Sequence, residues 1–455
     1  MSILTDLVGS ANEALWGFAL LFLLGGTGVY FTVRLRFVQV RKLGEGFRRL
    51  FGGLHLGRKK PEGEEGSMSS FQSLMTAIAA QVGTGNLAGA ATALILGGPG
   101  AIFWMWVAAF FGMATIFAEA VLAQRTKQTE EGEVIGGPAF YIRRAFKGRF
   151  GKLLAGAFSV LCILALGFAG NMVQSNSIGD AFAGAFGVPP ILTGIVVALA
   201  AGLVLLGGTK RVAHVTEKIV PVMALFYIAG ALAVILANAA KIPGAFAQIF
   251  TGAFSPQSLG GAAVGITVQK ALRYGAARGI FSNEAGMGST PHAHALARVK
   301  DPCEQGVVAM LGVFIDTFVI LTLTALVVLT SGVLAPGALP AETQGVGVVQ
   351  AAFTTLFGSF GGVFIAICML FFAFSTILGW TFFGELNIRY LFGKKAVKFY
   401  LAAVLGFILL GSALKVEFVW SLADLFNGLM TIPNLLAVLA LSAVVARALR
   451  GYEKK

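Results

Sequence analysis

Residues 71–100 read FQSLMTAIAAQVGTGNLAGAATALILGGPG. The stretch exceeds the roughly 20 apolar residues that cross a bilayer. Its middle is Gln81-Val82-Gly83-Thr84-Gly85-Asn86. Polar side chains cost free energy in hydrocarbon unless they are paired, and glycine lets the backbone leave helical geometry. A span interrupted at mid-depth frees N–H and C=O groups that can hold ions and zwitterions. Close packing of small residues between helices would explain the glycines, but not Gln81 and Asn86. The stretch therefore reads as a broken helix that binds a solute and a cation. Carbonyls before Gly83 face the cation. The N–H groups of Thr84 and Gly85, at the start of the outer half-helix, face a carboxylate.

The whole chain supports this setting. Of 455 residues, 57% are hydrophobic and 12% charged, with mean hydropathy +0.83. A soluble domain carries about 25% charged residues, so the composition points to a polytopic membrane protein. The formal net charge of +13 does not indicate a nucleic-acid partner, because the basic residues lie in short stretches between apolar runs. Cys162, Cys303 and Cys368 show no disulfide or metal spacing. The start, MSILTDLVGSANEALW, lacks the basic n-region of a signal peptide.

Outward from the opening stretch, the expected spans are 14–33, 71–96, 101–123, 153–173, 190–206, 219–239, 260–289, 307–329, 362–383, 399–413 and 418–445. That makes about eleven by the length criterion. Every strongly basic loop then falls on one side, expected to be cytoplasmic, with the N-terminus outside, the C-terminus cytoplasmic and the chain in the plasma (inner) membrane. An outer turn holds Asp180, and Thr209-Lys210-Arg211 form an inner turn. Residues 37–51, FVQVRKLGEGFRRLF, alternate apolar and basic positions, as a helix lying in the headgroup layer does and as a solvated basic loop also can. Val346–Phe357 reads as an outer re-entrant or capping helix.

Setting the first span aside leaves about ten, five and five, each set opening with a glycine-broken span. The expected organisation is an extra helix and basic segment over 1–68, a first five-helix repeat over 69–240 and a second over 241–455. An odd number of spans per half inverts one half against the other. The glycines from Gly265 to Gly279 do not fix where the seventh span breaks.

Other residues carry chemistry. Ser375 and Thr376 are adjacent mid-span hydroxyls suited to a hard cation, although such hydroxyls often bond back one turn. Trp380 lies one turn further on the same face, where it can wall a pocket. Asn171 and Gln174 can reach a substrate from the side. Asn283 and Glu284 can cap a half-helix, pair with Arg278 or line the exit. Intramembrane carboxylates are functional by default: Asp316 is the deepest, Asp424 also qualifies, and Glu119 is expected to pair with a cytoplasmic arginine. Neither a repeated pore motif nor a nucleophile–base pair is visible, which disfavours a channel and an enzyme.

The run Gly97-Gly98-Pro99-Gly100-Ala101-Ile102-Phe103-Trp104-Met105-Trp106-Val107, ending at Gly112, resembles the signature of the alanine/glycine:cation symporter family. So do Arg278-Gly-Ile-Phe-Ser-Asn-Glu-Ala-Gly-Met-Gly-Ser289, Ser375-Thr376, Gly379-Trp380 and Gly384-Glu385. The resemblance implies an all-α membrane protein with the five-plus-five inverted-repeat fold of sodium-coupled amino-acid transporters and one added N-terminal helix. It implies symport of sodium with a small neutral amino acid, alanine or glycine, without a further cofactor; proton coupling in the same fold is the alternative. By that similarity the carbonyls of Ala79 and Val82 and the hydroxyls of Ser375 and Thr376 form a sodium site. Thr84 and Gly85 hold the substrate carboxylate. Gln81 and Trp380 confine its side chain, with Asn171, Gly279, Phe281 and Asn283 at the pocket.

Overall fold

A computed structural model describes residues 2–52, 67–130, 132–254, 268–340 and 342–454. Arg58, Lys59 and Lys60 lie outside the described residues, as does the expected start of the seventh span, including Gly265. Almost everything described is helical. Eight helices are long and apolar enough to cross a membrane, nine if the bent pair Ser70–Gln81 and Gly85–Gly97 counts as one span. Pro190–Leu205 and Val346–Phe357 are shorter apolar helices.

Local chemistry sets several ends. Ser69 and Gln72 form a reciprocal capping box that starts helix Ser70–Gln81. Asp301 caps the helix beginning at Pro302 by accepting the Cys303 N–H. Gly187 and Gly332 take left-handed conformations that end helices at Phe186 and Ser331.

Helix Gly100–Thr126 is a packing hub. Gly28 of the N-terminal helix lies against Phe111, Gly275 against Ala101 and Trp104, and Gly306 against Phe117. Small residues let helix backbones approach where no hydrophobic force drives association. The signature motif acquires a mechanical reason here. Gly98, at φ 71°, turns the chain into this helix, while Gly97 abuts Tyr274 and Gly100 abuts Gly252.

Some expectations change. Asp180 lies in a continuous helix, Gly148–Phe186, rather than in a turn: the π-helical stretch Ile163–Gly170 runs directly into Asn171–Phe186, which holds the polar run. Thr209-Lys210-Arg211 open helix Gly208–Ala237 and do not form the turn. Within 37–51, helices Val38–Arg41 and Leu43–Gly52 form, and Phe47 packs edge-on against Phe314. The basic tail is helical as Ser442–Tyr452, where Tyr452 meets Arg49. A small hairpin, Gln128–Glu130 with Glu133–Ile135, and helix Pro138–Ala145 had no sequence signal strong enough to place them. Val346–Phe357 is helical as expected.

Candidate functional site

The second span breaks where its sequence indicates. Helix Ser70–Gln81 ends, and the chain resumes at Gly85 after a bend of 48°. Val82, at φ −82° and ψ 87°, swings its carbonyl off the helix axis. Glycines fit here because the chain is squeezed from two sides. A Cβ on Gly83 would collide with the Thr376 hydroxyl, and one on Gly85 would lie 3.0 Å from Ser282.

Across the break stands helix Ser359–Phe392. The Thr376 hydroxyl lies 2.8 Å from the Ala79 carbonyl and 3.0 Å from the Phe372 carbonyl. Ser375 Oγ lies 3.4 Å from the Ala79 carbonyl and 2.9 Å from the Phe372 carbonyl. The back-bond to Phe372 is the ordinary use of a mid-helix hydroxyl. It also leaves the hydroxyl lone pairs, with the Ala79 carbonyl, as a cluster of neutral oxygens.

The freed backbone groups have side-chain partners. Gly83 N–H donates to Asn86 Oδ1 at 3.0 Å, and Thr84 N–H donates to Gln174 Oε1 at 3.2 Å. The Thr84 hydroxyl is fully buried and has no partner among the described residues. Such a group costs about 1–3 kcal/mol when left unmade.

Among the described residues, the break in the seventh span lies beyond Gly279. Val268–Asn283 is continuous, so Gly279 is helical and packs on Met105. The chain leaves the helix at Glu284, at φ 58°, and helix Pro291–Ala295 follows. Tertiary partners select this position among several glycines. Glu119 Oε2 accepts the Gly286 N–H at 3.1 Å, while Asn434 Nδ2 donates to Glu119 Oε1 at 2.5 Å and to the Gly286 carbonyl at 2.9 Å. Tyr141 donates to Asn434 in turn.

These contacts correct two expectations. Glu119 pairs with amide donors instead of a cytoplasmic arginine. Arg278 pairs with Asp424 through two bonds of 2.8 Å, not with Glu284, so Asp424 belongs to a structural pair. Glu284 receives bonds from Trp380 Nε1 and from Ser289 Oγ.

The two breaks are joined. Gln81 Nε2 donates to the Asn283 carbonyl at 2.7 Å. Asp316 Oδ1 receives Asn86 Nδ2 at 2.7 Å from one side and Ser282 Oγ at 2.9 Å from the other. Thr317 donates to Asp316 Oδ2 at 2.8 Å and receives Asn283 Nδ2 at 3.1 Å. Phe281 meets Trp380 edge-on at 5.7 Å, with Trp420 4.9 Å from Phe281. Gly170 leaves room for the Trp380 ring. Asn171 stands further back and donates to Gly167 and Thr381.

Ala79, Val82, Ser375 and Thr376 thus converge with Gln81, Thr84, Gly85, Asn283, Phe281 and Trp380, while Asn171 and Gly279 serve neighbouring helix contacts. Sequence reasoning missed Trp420, Asn434 and Ser282. Only the unusual polarity of Ser282 and Asn434 at membrane depth was available as a signal.

A family-wide sequence profile, that of the sodium:alanine symporter family, matches residues 1–455. The sodium/alanine symporter AgcS of Methanococcus maripaludis is 43% identical over 452 residues, 99% of this chain and 97% of that protein. The chain belongs to the sodium:alanine symporter family. A second relative, the probable sodium/glutamine symporter GlnT of Bacillus subtilis, is 42% identical over 455 residues, 100% of this chain and 91% of its own. Among solved structures, MhsT in complex with L-phenylalanine superposes with TM-score 0.59 at 15% identity, covering 85% of this chain and 98% of that one. At that identity the likeness is one of fold. The chain is therefore an all-α, multi-pass membrane protein with the five-plus-five inverted-repeat fold of sodium-coupled transporters, and it couples amino-acid transport to sodium.

Proposed function

We propose that this family member imports a small neutral amino acid, alanine or glycine, with sodium across the plasma membrane by alternating access. One observation carries the reading: the Ala79 carbonyl and the Ser375 and Thr376 hydroxyls meet at the same break that buries a Thr84 hydroxyl with no partner among the described residues. Sodium takes the oxygens of Ala79, Val82, Ser375 and Thr376, with the hydroxyl protons kept by Phe372. The substrate carboxylate takes Gln174's place at the Thr84 N–H, beside the Thr84 hydroxyl and Gly85. Gln81, Asn283, Phe281 and Trp380 enclose the side chain, and Asn171 and Gly279 set the walls from behind. The Asp316 carboxylate, tied to both breaks, favours entry of a cation.

The five-helix repeats run over 69–240 and 241–455 behind the added segment 1–68. Each opens with its broken helix. The basic end faces the cytoplasm, which puts the N-terminus outside and the C-terminus inside. Sodium completes the outward-open site; the bundle holding the broken helices then rocks against the rest and releases both solutes inside.

The test is uptake of labelled alanine by proteoliposomes, with and without an inward sodium gradient, against unlabelled glycine, serine and glutamine. Concentrative uptake that needs sodium and yields to alanine or glycine is the expected result. Uptake driven by a pH gradient without sodium would overturn sodium coupling. Stronger competition by glutamine would overturn the substrate class.

A further inference from the structure

The basic end holds a cavity of about 1110 Å³ that the transport site does not use. Four helices meet around it. The last turn of Gly100–Thr126 brings Arg125, Pro138–Ala145 brings Arg143 and Arg144, the last turn of Ser359–Phe392 brings Arg389, and Ser442–Tyr452 brings Arg447. One carboxylate, Glu130, shares the wall among the described residues. Phe140, Tyr390, Leu441 and Val444 add an apolar side.

Topology alone accounts for basic residues at this end. It does not account for their convergence on one concavity. Several cations at this end have acidic partners, Arg389 of the cavity wall among them: Arg41 with Glu453, Arg49 with Glu45 and Glu304, Arg389 and Lys394 with Glu133. Arg125, Arg143 and Arg144 have neither a hydrogen-bond nor an ion-pair partner among the described residues. Converging guanidinium groups repel one another, and a phosphate that accepts forked hydrogen bonds relieves that repulsion. Arg125 and Arg389 each end a helix long and apolar enough to cross a membrane, which is headgroup depth. A wall that is cationic on one side and apolar on the other fits an amphiphile better than a free anion.

We propose that this cavity binds the phosphodiester headgroup of an anionic phospholipid, with Arg125, Arg143 and Arg144 on the phosphate and the apolar wall against the glycerol and upper acyl chain. Basic pockets between helices at a membrane face hold such headgroups by this combination of charge and contact. The site goes beyond the transport reading, since it shares no residue with the sodium and substrate groups.

The experiment is native mass spectrometry of the purified full chain with phosphatidylglycerol, phosphatidylcholine or inorganic phosphate added. The wild type is expected to retain phosphatidylglycerol over phosphatidylcholine. Arg125→Gln, Arg143→Gln and Arg144→Gln each lower retention by roughly fivefold, the factor matching the about 1 kcal/mol by which anionic lipid attracts one surface cation. Lys398→Gln, an exposed cation away from the cavity, leaves retention unchanged. Arg143 and Arg144 are exposed, so their variants fold even if Arg125→Gln does not. Equal retention of phosphatidylglycerol by wild type and the Arg143→Gln/Arg144→Gln pair would overturn the proposal. So would inorganic phosphate displacing the lipid at equal concentration.

Discussion

The interruption at 82–84 and the one at 284–290 lie side by side, yet different forces hold them open. At 82–84 the chain leaves the helix because its own residues permit it: two glycines flank Thr84, and Asn86 caps Gly83 from within the same segment. The surrounding helices add Gln174, the Ser375–Thr376 hydroxyls and the Asp316 and Asn283 acceptors of Asn86 and Gln81. One buried hydroxyl there, that of Thr84, has no partner among the described residues. At 284–290 the chain leaves at Glu284, a residue that does not favour positive φ. Distant groups impose the turn: Glu119 and Asn434 clamp Gly286, and Trp380 with Ser289 holds Glu284. The first break has the character of a binding site and the second that of a pinned scaffold.

The largest expected effect comes from closing the first gap. In Gly83→Ala the new Cβ meets the Thr376 hydroxyl and lies 3.1 Å from Gln174 Oε1. Overpacking of this kind costs about 1–3 kcal/mol, and here it pushes apart the oxygens proposed for sodium. Sodium-driven uptake in proteoliposomes should be abolished while the protein remains monodisperse; wild-type uptake would break the contrast between the two regions.

Asn434→Ala should act on the other region. It removes the Asn434 donor from Glu119 Oε1 and from the Gly286 carbonyl, at about 1–3 kcal/mol for each. The melting temperature in detergent should fall, and hydrogen exchange should accelerate at 284–290 with little change at 79–86. Equal acceleration in both segments would mean that the two breaks open as one unit.

A smaller effect is expected from Thr376→Ala, which removes one oxygen at the first break. The sodium concentration for half-maximal uptake should rise about tenfold, the equivalent of about 1.4 kcal/mol, with thermal stability nearly unchanged. Equal transport at equal sodium affinity would remove Thr376 from the site.

The finest test is Thr84→Val. Because the hydroxyl has no partner among the described residues, its replacement by a methyl group should be neutral or slightly stabilising. Alanine affinity should nevertheless weaken several-fold in competition uptake. A loss of stability without a change in affinity would show that the hydroxyl serves the fold.

How much was legible in advance follows from the same contrast. The break at 82–84 could be read because glycine and unpaired polar groups are unfavourable at mid-span on local grounds alone. The hydroxyl pair at 375–376 was visible for the same reason, though its partner carbonyl was supplied by family resemblance. The sequence does not place the break at 284–290 because glycines at 275, 279, 286 and 288 look alike locally. Glu119 was paired with the wrong kind of partner, since its neighbour Asn434 lies 315 positions away.

By itself the sequence determined the membrane class and the first interruption, each a consequence of short-range cost in hydrocarbon. Tertiary structure alone decided where the second helix ends, which carboxylates are paired, and that Gln81 and Asp316 tie the two breaks together. Buried hydrogen-bond partners arise from helix packing between residues far apart in the chain, and residue types repeated along many helices do not specify which of them will meet.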